Sequence, residues 1–298
     1  MKGKSDNECL KEFEKLNKTC DSIYDLGDYD VLIILKDGTN LTDWNGVENR
    51  EDIIYISEDL SGCTDLSCRY RGLKSLKAIV AFGVTNRVKS MEYMFLNCRD
   101  LKDISLKDWD VSGANRMWSM FCGCSCLSDL SGLAGWDVSN LDDTDNMFRG
   151  CSGLSDLSPL AGWDVSGVID MNGMFAGCSG LSDLSGLANW DVSAGIDMER
   201  MFAGCSGLSD LSPLANWDVS RVGYMPKMFA GCSGLSDLSG LAGWDVSNLK
   251  EMQEMFADCS GLVDATALSE WDFSNLECRR GVFRNCNSLK EEPPWYNY

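Results

Sequence analysis

Between Cys151 and Met174 the chain reads C-S-G-L-S-D-L-S-P-L-A-G-W-D-V-S-G-V-I-D-M-N-G-M, and the same unit returns on both sides of it. Met94, Met120, Met147, Met174, Met201, Met228 and Met255 are each followed by Phe; the first step is 26 residues and every later one 27. Val282-Phe283 continues the series. A cysteine lies four residues beyond each of these positions: Cys98, Cys124, Cys151, Cys178, Cys205, Cys232, Cys259 and Cys286. Trp109, Trp136, Trp163, Trp190, Trp217, Trp244 and Trp271 keep a period of 27, and each precedes Asp. A unit of this length cannot bury its own apolar side chains. Stacking on neighbours buries them in one column, so the repeat predicts a solenoid in which identical residues form ladders, one rung per repeat.

Spacing predicts the content of a rung. Leu101, Ile104, Leu106 and Trp109 form the tightest copy, and its Ile104-Ser105-Leu106 step has the period of two of a short strand. The 27-residue copies insert one residue there, often as Ser-Gly or Ser-Pro, which reads as a short strand ending in a tight turn. After Trp, Asp-Val-Ser is a helix-start signal. Leu249, Met252, Met255 and Cys259 then fall at helical intervals. Pro226, Asn172-Gly173 and Ala194-Gly195 occupy the same window elsewhere, so one or two turns, 3₁₀ in places, is the expectation. The predicted class is an α/β solenoid with one short parallel strand and one short helix or 3₁₀ turn per 27-residue repeat.

The ends differ. Leu10, Phe13 and Leu16 predict a short amphipathic helix, and strands are expected at Val31–Leu35, Ile53–Ile56 and Leu76–Val80, the last as a degenerate first repeat strand. Residues 1–86 are therefore read as an α/β N-terminal cap, 87–290 as about seven to eight repeats, and 291–298 as a tail whose aromatics could lid the last rung. The start, Met1 to Glu8, has no apolar stretch behind it and is not a signal peptide as written.

The unit Met-Phe-x-x-Cys-x-x-Leu-x-x-Leu-Ser-x-Leu-x-x-Trp-Asp-Val-Ser closely resembles the roughly 26-residue repeat of BspA-like leucine-rich-repeat surface proteins of bacteria, over about Met91 to Asn287. The resemblance implies a leucine-rich-repeat-like solenoid at the cell surface or secreted, acting in adhesion or protein binding without catalysis.

Composition excludes whole classes. The 298 residues contain no histidine, which removes a Ser-His-Asp triad, a Cys-His dyad and His-ligated zinc. A net charge of −20 argues against nucleic acid and against an anionic membrane surface. No apolar run is long enough for a membrane span.

Several candidate sites follow from the repeat. Cys124, Cys151, Cys178, Cys205 and Cys232 read as buried free thiols of the ladder, with a metal array or inter-rung disulfides as the alternative. Cys122, Cys124 and Cys126 form a weak zinc candidate, and Cys63–Cys68 and Cys9–Cys20 are conceivable cap disulfides in an exported protein. Trp136, Trp163, Trp190, Trp217 and Trp244, with the Met-Phe pairs, read as core packing rather than a cofactor box. Asp129, Asp156, Asp183, Asp210 and Asp237, with Ser155, Ser182, Ser209 and Ser236, form an invariant acidic lattice that a repetitive ligand such as a glycan, or calcium, would match. A second Asp row follows the tryptophans and caps local turns. Variation between copies collects after Trp-Asp-Val-Ser, at Glu199, Arg200, Tyr224, Lys227, Lys250 and Glu251, a ridge that a single protein epitope would read. Recent duplication with no ligand on either face, and a purely structural spacer or coat component, stand as alternatives to recognition. Oligomeric state is not legible.

Overall fold

The computed structural model describes residues 31–35, 40–41, 52–106 and 108–297. The expected helix near Leu10 and the Cys9–Cys20 pair lie outside them. Five strands, β1 (Val31–Leu35), β2 (Asn40–Leu41), β3 (Ile53–Asp59), β4 (Ala78–Phe82) and β5 (Asp103–Ser105), form one sheet in the order β2-β1-β3-β4-β5. β1 pairs antiparallel with β2 and β3, whereas β3, β4 and β5 are parallel, with Tyr55 opposite Ala78 and Ala78 opposite Asp103. The sheet therefore grows into the solenoid. Rung-to-rung pairing already links Asp65 to Ser90 and Ser90 to Arg116, so the ladder reaches back into the segment read as the cap.

Beyond β5 the strand column stops, and one residue explains why. Each later copy inserts Gly132, Pro159, Gly186, Pro213, Gly240 or Ala267 between its Asp-Leu/Ala-Ser/Thr stretch and the next Leu. Each inserted residue is the middle of a three-residue 3₁₀ turn: Ser131–Leu133, Ser158–Leu160, Ser185–Leu187, Ser212–Leu214, Ser239–Leu241 and Thr266–Leu268. The strand expected in these copies is thus replaced by a turn, because an extra residue cannot be held in a flat strand without a bulge. Gly and Pro alternate for a packing reason at Gly186, where a Cβ would come within 2.2 Å of the Leu157 carbonyl oxygen in the rung below.

The parallel pairing continues on another side of the rung, in the segment before Met-Phe. It is confined to one residue per rung: Asp143, Asp170, Asp197, Tyr224, Glu251 and Cys278 are bridged in sequence. Here helical spacing arises without a helix. Met174, Ala176 and Cys178 donate to the carbonyls of Met171, Gly173 and Phe175 three residues back, closing overlapping turns. The alternate N–H groups of Met171, Gly173, Phe175 and Gly177 donate instead to Asp197, Glu199, Met201 and Ala203 of the next rung. A helix would need those donors for itself. The turns also require left-handed backbone at two positions, Gly173 (φ 59°) and Gly177 (φ 76°) in this rung; Arg200 (φ 56°) and Lys227 (φ 58°) adopt it at the first of them.

Side-chain ladders form the core. Phe121, Phe148, Phe175, Phe202, Phe229 and Phe256 are fully buried and stack with ring centroids 5.6–5.8 Å apart. The column begins at Tyr70, stacked on Phe95, and ends at Phe283. Each buried aromatic or Leu contributes about 1.5–3 kcal/mol of hydrophobic stabilisation. Each ladder Trp is at most 5% exposed and donates its Nε1–H to a carbonyl of the preceding rung at 2.7–3.1 Å, so the indole is buried with its one polar atom satisfied. Trp295 repeats this at the end of the chain: it donates to the Leu268 carbonyl and packs on Phe273 and Phe283. The first rung is clamped to β3 by the buried Glu58 carboxylate, which accepts from the Arg69 guanidinium and the Tyr70 hydroxyl.

Candidate functional site

The ladder cysteines are structural in their geometry. Cys124, Cys151, Cys178, Cys205 and Cys232 are fully buried, and each thiol points its Sγ at a Phe carbonyl of the preceding rung at 3.1–3.2 Å. Burial pushes all of them well above the ordinary thiol range, and Cys98 and Cys259 to about 12. Such thiols are poor nucleophiles and poor metal ligands. Cys63 and Cys68 are both free thiols, not a disulfide. Among the described residues no group of three or more Cys, Asp or Glu side chains is arranged to hold a metal, the cluster at Cys122, Cys124 and Cys126 included.

The two Asp rows spend an oxygen on their own turns. Oδ1 of Asp129, Asp156, Asp183, Asp210 and Asp237 accepts the backbone N–H two residues on, at 2.7–3.0 Å. Asp137, Asp164, Asp191, Asp218, Asp245 and Asp272 do the same after the tryptophans. These are Asx turns. Hydrogen bonds from Ser hydroxyls and N–H groups hold Asp164, Asp191, Asp218 and Asp237 below the usual carboxylate range. Ser155, Ser182, Ser209 and Ser236 lie exposed beside the first row.

The ridge brings a different set together. Tyr224 and Glu251 belong to the bridged column, and Lys250 is exposed at its edge. Glu199 pairs with Arg200, and Lys227 with Glu254 at 3.2 Å. Carboxylates lie between them: Asp143 and Asp145 fall in the window where the copies differ, and Asp170 and Asp197 are the ones that the sequence did not single out. Asp143, Asp145, Asp170 and Asp197 are half-buried along the column, and burial, then repulsion from neighbouring acids, raises all four; Asp145 is pushed up to about 6. From Cys122 to Ser260 the chain carries 19 acidic against 5 basic residues, and this column is where that excess is least hydrated. Three large hydrophobics stand out by exposure among the described residues, Ile169 at 47%, Ile196 at 37% and Val263 at 38%, and the two isoleucines lie in adjacent rungs of the ridge. The signal was present in the sequence, since the matching places in other copies hold Asn115, Asp142, Gly223 and Lys250. At the N-terminal end of the ridge, Asn86, Lys89, Ser112, Gly113, Asn115 and Asn140 line an open polar hollow of about 530 Å³.

With the rungs in place, the repeat matches the DUF285 family, described as a Mycoplasma protein of unknown function, in three overlapping stretches, residues 64–183, 128–234 and 180–296. The chain belongs to the DUF285 family. The first match starts at residue 64, where the rung-to-rung bridging also begins. No curated protein matches the DUF285 chain. Among solved structures it is similar to a leucine-rich-repeat protein of T. pallidum, at 16% identity over 62% of this chain and 72% of that one, with a TM-score of 0.34. A leucine-rich cell surface protein of Faecalibacterium prausnitzii is 14% identical over 81% of this chain and 79% of its own, with a TM-score of 0.33. Internalin C2 of Listeria monocytogenes is 17% identical over 81% and 85%, with a TM-score of 0.32. Among the described residues of the DUF285 chain no helix is long and apolar enough to cross a membrane.

Proposed function

We propose that this DUF285 solenoid is a non-catalytic recognition module that works at the cell surface or outside the cell and binds a protein or glycan through its rung faces. The observation that carries the reading is the contrast within one rung. Most buried positions are repeated from copy to copy, while the half-buried bridged column reads Asp143, Asp170, Asp197, Tyr224, Glu251 and Cys278, and the place before it, exposed in all of these rungs but that of Gly223, reads Asp142, Ile169, Ile196, Gly223, Lys250 and Glu277. Packing explains the constancy, and nothing in packing asks for the change. The resemblance of the repeat to BspA-like surface proteins supports the location.

The face bearing Asp156, Asp183 and Asp210 supports a second mode, because identical groups at every rung suit a repetitive polymer. A glycan and protein array probed with the full chain, with and without calcium, tests both. Saturable binding weakened by ridge substitutions is expected for a protein partner. Binding weakened by Asp156→Asn, Asp183→Asn and Asp210→Asn together assigns a glycan to the lattice. A rise in melting temperature on calcium titration would add the cation to that face. An array without any binder overturns recognition and favours the structural spacer.

A further inference from the structure

The ridge holds an apolar step that the fold does not require. Ile169 and Ile196 occupy equivalent places in adjacent rungs, the Ile196 N–H donates to the Ile169 carbonyl at 2.9 Å, and both side chains face water. Only the backbone at this place is used by the ladder. Asn115, Asp142, Gly223 and Lys250 fill it in other rungs, and from Asp142 to Lys250 the pairing runs unbroken. Single exposed aliphatic side chains are ordinary, but two stacked in adjacent rungs, at a place other rungs fill with polar residues, form a contiguous apolar step open to a partner.

Charge selects the occupant. Each Ile is followed in the chain by a carboxylate of the bridged column, Asp170 and Asp197, and Tyr224 continues that column. The two Asp residues repel each other, and among the described residues neither has an ion-pair partner; Arg200, the base nearest Asp197 in sequence, is paired with Glu199. A neutral glycan would leave that repulsion in place, and an anionic partner would add to it. A cation would relieve it.

We propose that Ile169 and Ile196 dock a segment of a partner protein that presents apolar and Lys or Arg side chains on one face, the apolar side chains seated on the two isoleucines and the cations over Asp170 and Asp197. The proposal rests on the recognition reading above and names its partner class.

A random-peptide display selection on the immobilised full chain tests it. Peptides that combine Lys or Arg with aliphatic or aromatic residues are expected to enrich. A synthetic copy of the consensus should bind the Ile169→Asn/Ile196→Asn chain and the Asp170→Asn/Asp197→Asn chain each about 10-fold more weakly, a difference of about 1.4 kcal/mol. Both variants should keep the circular dichroism of the parent; the Ile variant should also keep its melting curve, because Asn115 already stands at that place, and the Asp variant should melt no lower than the parent, because burial raises both carboxylates. Enrichment of acidic or uncharged peptides, no enrichment, or equal binding to parent and variants overturns the docking proposal. If the glycan array still yields a binder, only this proposal falls; if neither library does, recognition falls with it.

Discussion

Phe175 and Ile169 lie six residues apart in the same rung, and they behave as if they belonged to different proteins. Phe175 is fully buried, with a phenylalanine 5.6–5.8 Å away on each side, so its shape is set twice over by its own copies. Ile169 lends only its backbone to the ladder, and its side chain is half in water. In a solenoid each rung contacts its neighbours alone, so a buried place must satisfy two copies of itself. An outward place need satisfy none. Identity between copies therefore reports packing, and divergence between copies marks where a partner can be read.

The largest test of that contrast is a pair of truncations. Phe175→Ala should lower unfolding free energy by about 3–5 kcal/mol through the cavity it leaves, whereas Ile169→Asn should stay within about 0.5 kcal/mol. Urea denaturation of both variants compares them directly, and similar losses would break the distinction between spine and ridge. Next comes Gly186→Ala. The added Cβ meets the Leu157 carbonyl at 2.2 Å, backbone against backbone, so the rungs must part. A loss of about 1–3 kcal/mol is expected from such overpacking, and a neutral outcome would show that rung spacing is soft. Asp183→Ala should remove about 0.5–1.5 kcal/mol by taking the acceptor from the Ser185 N–H.

The smallest effects separate two populations of aspartate. Ridge carboxylates are raised in the folded chain, so the folded state holds more protons than the unfolded one between about pH 4 and 6, and their contribution makes stability fall as pH rises through that window. Turn carboxylates such as Asp164, Asp191 and Asp218 are lowered; their contribution is complete above the unfolded value near 4 and is lost as pH drops below it. Melting temperature against pH should therefore peak at about pH 4–5. Asp145→Asn should flatten the decline above the peak and, after solvent screening, stabilise at neutral pH by about 0.5 kcal/mol. A profile that rises steadily from pH 4 to 7 would contradict the burial of the ridge acids.

The solenoid, its period and its ladders of Phe, Cys and Trp were legible in the residues, because a strict 27-residue repeat of buried types admits only stacking in phase. Tyr70 escaped that reading: it opens the aromatic column 25 residues before Phe95 with a different ring. The local conformation of a rung was only partly legible. Helical spacing before Met-Phe arises from overlapping turns, since alternate N–H groups are claimed by the next rung, a competitor invisible within one repeat. The inserted Gly or Pro could be located in the sequence, but only its neighbours decide that it ends a strand and forms a 3₁₀ turn. The same division holds at the candidate site. The variable window announced itself by comparing copies, yet exposure of Ile169 and Ile196 and burial of Asp143, Asp170 and Asp197 depend on how rungs are laid over one another. Residue order determined what repeats, because periodic burial is written in periodic side chains. Tertiary stacking decided which of those side chains meet water and which meet their own copies, because both are properties of the distance between rungs.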